Sequence, residues 1–141
     1  MRAFVCAAGF LLAIHGPPAN ACGHCVEDKI AAVYDHVIVT KAQAQGHPVA
    51  FFAIDGEIVQ DETTRRAIET MVRSTNGVDQ DSVRVSLELA SISFSFDPKR
   101  ARIAAVVNAL GTRLSSKNLR LLELKILDHA LPLKAVRTSP S

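Results

Sequence analysis

Residues 83–98 read VRVSLELASISFSFDP, and their pattern decides the fold. Val83, Val85, Leu87 and Leu89 alternate with polar partners, and Ile92, Phe94 and Phe96 then do the same. A strict period of two marks strands with one apolar face. The apolar parity changes near Ala90. A turn or bulge between two antiparallel strands produces that change, because both apolar sets must reach the same side of a sheet. Asp97-Pro98 follows, an N-cap residue and a proline suited to a first helical position. The expected helix buries Ile103, Val106, Val107 and Leu110 and ends at Gly111.

Outward from this hairpin the chain keeps alternating elements. Residues 49–54, VAFFAI, read as a compact strand ended by Asp55-Gly56. Asp61 or Thr63 caps a helix whose inner face is Ala67, Ile68, Met71 and Val72, closed by Asn76-Gly77. Residues 119–127 form the last strand. The order strand, helix, strand, strand, helix, strand is the split βαβ arrangement of an α+β, ferredoxin-like sandwich. It implies one four-stranded antiparallel sheet with both helices on the same face. Such a fold hosts many activities, so function must come from a site.

Upstream, Val26, Ile30, Val33, Tyr34, Val37 and Ile38 fall at helical spacing, with Glu27, Asp28, Lys29 and Asp35 on the remaining arc. The pattern fades through residues 41–45 and stops at Gly46, with Pro48 as a second stop signal. One extra amphipathic helix is expected, although the β-branched run 37–40 alone would also suit a short strand. Residues 1–21 read as a cleaved export signal: Arg2, an apolar run from Phe4 to Ile14, a Gly16-Pro17-Pro18 break, and small Ala19 and Ala21 before the cut. The expected organisation is a signal at 1–21, a cysteine-bearing helix at 22–46, a ferredoxin-like domain at 47–128 and a flexible tail at 129–141. The protein is then periplasmic or secreted.

Composition narrows the classes. Hydrophobic residues make up 48% of the chain, enough for a core, and the net charge is only +2. No basic stripe or aromatic interleaving points to nucleic acid. No stretch after the signal is long enough to span a bilayer. Membrane attachment would require lipidation of Cys22, which the polar Asn20 disfavours.

The chemistry concentrates at Cys22-Gly23-His24-Cys25. Cleavage after Ala21 would gather two thiols, an imidazole and a free amine within four residues. Thiolates two residues apart can share one ion, and soft sulfur suits Cu(I) or Zn(II), with His24 as auxiliary ligand. The free amine, two backbone amides and His24 could instead hold Cu(II) in a square plane. The same tetrapeptide is that of protein disulfide isomerases, so thiol–disulfide exchange by Cys22 and Cys25 is the chief alternative. No tryptophan precedes it, and no upstream strand is expected. An idle disulfide on an interaction module is the third reading, since oxidation is the default in an exporting compartment.

The series Gly77-Val78, residues 83–87, residues 92–98 and residues 103–111 resembles the heavy-metal-associated domain of copper chaperones and metal-ATPase N-termini. The likeness covers about residues 48–127 and implies a ferredoxin-like fold and metal handling. In that family the Cys-x-x-Cys lies between the first strand and first helix. The equivalent loop here, residues 54–61, contains no cysteine. Its ligands therefore do not carry over, and Cys22-Cys25 precedes the whole fold.

The resulting expectation is a non-enzymatic, exported metal-binding protein, copper first and zinc second, with Cys22, His24 and Cys25 as ligands. Its partner would be a metal transporter or another protein. His36, His47 and His129 read as solvated or element-end residues. Asp55, Glu57, Asp61 and Glu62 read as a solvated acidic loop rather than a cation site, and Arg65-Arg66 as an exposed pair.

Overall fold

The computed structural model of the protein describes residues 22–128, with side chains from Val26 onward. The expected signal, its cut site, the tail and His129 lie outside the described residues. Within them the fold is α+β and ferredoxin-like. Strands β1 (Val49–Asp55), β2 (Arg84–Ser86), β3 (Ser91–Ser95) and β4 (Arg120–Leu127) form one sheet in the order β2-β3-β1-β4. Every neighbouring pair is antiparallel, with Phe52 opposite Ile92 and Val49 opposite both Ser95 and Leu127. Two helices preceding the sheet are α1 (Cys22–Ala31) and α2 (His36–Gln45); α3 (Glu62–Arg73) and α4 (Ile103–Ser115) follow β1 and β3.

The strand period sorts the core. Ala50, Phe52 and Ile54 of β1 face the same side as Ile92 and Phe94 of β3, where Ile68, Met71 and Val72 of α3 and Val106, Leu110 and Leu114 of α4 close over them. Phe52 and Phe94 stack with ring centres 5.7 Å apart. Val49 and Phe51 point the other way, into a second core with Val33, Val39 and Ala42. Phe51 is fully buried and stacks on Tyr34 at 6.4 Å. A strand covered on both faces needs a continuous apolar run, which is what residues 49–54 supply.

The single upstream helix expected over 22–46 is two helices. The chain leaves α1 through tightened turns, with Val33 N–H donating to Ile30 O and Tyr34 N–H to Ala31 O. Asp35 then caps α2, its Oδ1 accepting from the N–H groups of Val37 (3.0 Å) and Ile38 (3.2 Å). A carboxylate offering two such bonds competes with continued helix at that residue. The break also redirects the apolar residues. Val33 reaches the sheet, whereas Val37, expected on the buried stripe, is 73% exposed. The 37–40 run is helical, and Gly46 ends α2 in the left-handed conformation at φ 72°.

Three boundaries shift for similarly local reasons. The strand expected from Val83 is shorter, since Leu87 to Ala90 form the turn, and Ala90 takes φ 46° where the parity changes. Asp97-Pro98 builds a turn instead of starting a helix: Asp97 O accepts from Arg100 and Ala101, and its Oδ1 accepts from Lys99. The helix starts at Ile103 and passes through Gly111 to Ser115, because Leu114, one turn beyond Leu110, also reaches the core. Asp61 does cap α3, through Thr64 N–H at 2.6 Å. Ala67 of its expected inner face is exposed. Gly77 is required where it stands: φ is +90°, and a Cβ there would lie 2.5 Å from that of Ala101.

Candidate functional site

Cys22, His24 and Cys25 lie on α1, at the edge of the described residues. Two bonds fix the course of this helix and its exit over the sheet. Ser93 Oγ donates to Val33 O at 2.6 Å in the middle of the back face. Lys29 Nζ donates to Leu89 O at 2.5 Å, in the turn between β2 and β3. From Val33 to Lys29 the chain thus runs toward the end of the sheet where β1 stops, since Ile54 N–H donates to Ala90 O there. The rest of α1 continues in that direction.

The loop leaving that end of β1 carries the acidic residues, and all of them but exposed Glu57 are engaged elsewhere. Asp55 holds Arg120 at 2.5 Å, and Asp61 caps α3. Glu62 accepts from Arg65 (2.5 Å) and Arg66 (2.8 Å). Those two guanidiniums pull its carboxyl down to about 2. Arg65 also pairs with Glu69. The acidic loop is therefore a capped, salt-bridged helix start, and Arg65-Arg66 lies on its outer side as expected.

The histidines separate in the same way. His36 begins α2 and is exposed, while neighbouring Asp35 turns its carboxylate to its cap and to Arg84, 3.0 Å away. Those donors hold the Asp35 carboxyl below the usual range, the Ile38 N–H foremost. His47 sits at an element end and is structural, its Nδ1 2.8 Å from Asp79 Oδ2. Asp79 Oδ2 also accepts from Ser95 Oγ at 2.6 Å. The carboxylate stands between serine and histidine, so the histidine does not reach the hydroxyl it would have to deprotonate.

Sequence reading missed the Ser91, Ser93 and Ser95 row as a buried surface. All three are covered on the back face. The signal was available in principle: a serine at every second position of a strand flanked by an unpartnered amphipathic segment. Among the described side chains, no group of three or more His, Cys, Asp or Glu gathers at ligand distance. Cys22, His24 and Cys25 lie outside that set. Among the described residues, no helix is long and apolar enough to cross a membrane. Neither protein-family models nor curated proteins give a match to this chain.

Proposed function

We propose that the protein is an exported carrier of a soft metal ion, copper first and zinc second, held by the Cys22 and Cys25 thiolates with His24 as auxiliary ligand. One observation carries the reading: the helix that bears Cys22 and Cys25 is fastened to the sheet. A ligand pair on a docked helix has little backbone freedom left to lose on binding, which favours affinity. The Lys29–Leu89 bond directs the backbone of α1 toward the end of the sheet where β1 leads into α3. The ferredoxin-like body then serves as the surface that meets a metal transporter or other receiving protein.

Intact mass of the exported protein should show a chain starting at Cys22, without acyl groups. Titration of the reduced protein with Cu(I) against a competing chelator should give one tightly bound ion. The Cys22→Ser, Cys25→Ser variant should lose it while keeping the wild-type unfolding midpoint. Equal copper retention by variant and wild type would sink the proposal. Insulin reduction by the wild type but not the variant, without copper binding, would transfer the site to thiol–disulfide exchange.

A further inference from the structure

A cavity of about 550 Å³ lies between α2 and the segment from Arg73 to Ser82, at the other end of the sheet from the Lys29 tether. We propose that it binds a small anion with two or more negatively charged oxygens, such as a dicarboxylate or a phosphate. The volume falls within the roughly 300–1,000 Å³ of small-molecule sites. The cleft exists because α2 was added to the back of the sheet: α2 forms one wall, the end of α3 and the following loop the other, and Ser95 the floor.

Three cations from three parts of the chain converge on it: Lys41 of α2, Arg73 at the end of α3, and Arg100 of the turn before α4. All three are exposed. Among the described residues none is in an ion pair, whereas Arg65, Arg66, Arg84 and Arg120 each hold a carboxylate. The groups that would repel an anion are mostly turned aside. Asp79 spends Oδ2 on His47 and Ser95. The end of α3 would expose carbonyls, but Met71 O accepts from Ser74 Oγ, Thr75 Oγ1 and Arg113 Nη1. Asp81 is the remaining carboxylate at the rim. Guanidiniums with open donors recognise carboxylate and phosphate oxygens in pairs, so the cleft selects for multiple negative charge.

Amide NMR of the protein, titrated with succinate, inorganic phosphate or chloride at matched ionic strength, tests this. Saturable shifts over residues 38–45 and 73–82 are expected with succinate or phosphate, and the tighter of the two identifies the oxyanion class. Arg73→Ala and Arg100→Ala should each weaken binding about tenfold, the loss of a charge-assisted hydrogen bond. Asp81→Asn should tighten it by roughly threefold by removing a nearby like charge. The altered side chains are exposed, so unfolding midpoints should stay at wild type. Non-saturating shifts, equal shifts with chloride, or unchanged affinity in the arginine variants would overturn the proposal.

Discussion

The three serines of β3 are chemically alike but energetically different. Ser93 Oγ donates a hydrogen bond to Val33 O, where the chain turns out of α1, and both groups are away from water. Ser93→Ala removes the donor and leaves that carbonyl unmatched, at a cost of about 1–3 kcal/mol. Ser91 Oγ is buried without a partner. Ser91→Ala removes an unpaired hydroxyl, so stability should hold or rise by up to ~1 kcal/mol. Denaturant unfolding of the two variants checks the contrast; equal losses would contradict it. The carboxylates of Asp35, Asp61 and Glu62 form a second group. Each has a pKa lowered in the fold, by the Ile38 N–H, the Thr64 N–H and Arg65 respectively as leading causes. Their contribution is complete above their unfolded pKa and fades as pH falls. For Glu62 the window runs from 4.5 down to about 2. Unfolding midpoints should therefore decline through this acid range, and Glu62→Gln should flatten the decline. An unchanged slope would show that Glu62 contributes nothing to it.

At the level of elements, the added helices are part of the body and cover the sheet's second face. Phe51, from one of the two central strands, is their main contact. Phe51→Ala should cost about 3–5 kcal/mol, as truncation of a buried aromatic does. Val37→Ala on exposed α2 should stay within about 0.5 kcal/mol. Comparable losses at both positions would mean the back layer does not pack as described. The corner between the helices is fixed by Asp35, which caps α2 and holds Arg84 of β2. On the other side of the sheet, β4 is an edge strand with a register shift between the partners of Phe51 and Phe52. The shift, together with exposed Arg120, Glu123 and Lys125, blunts an edge that would otherwise template another strand.

For the whole molecule, the order of elements along the chain and the front core were legible because they rest on local periodicity. The alternation around Ala90 and the stripe Ile68, Met71 and Val72 have their structural counterparts in β2, β3 and α3. Element ends were less legible. Asp97-Pro98 suits a helix start and a turn equally, and only the reach of Leu114 to the core decides where α4 runs. The proposed ligand set, Cys22, His24 and Cys25, was read from the sequence alone. The proposed anion cleft was not, since Lys41, Arg73 and Arg100 are far apart in the chain. The sequence by itself determined the ferredoxin-like order of elements and the inward stripes at Ile68, Met71 and Val72 and at Val106 and Leu110. Tertiary structure alone decided that α1 and α2 fold behind the sheet, bury its serines and form the cleft. The bonds responsible, Ser93 to Val33, Lys29 to Leu89 and Arg84 to Asp35, join distant residues through single polar contacts, which leave no periodic trace in a sequence.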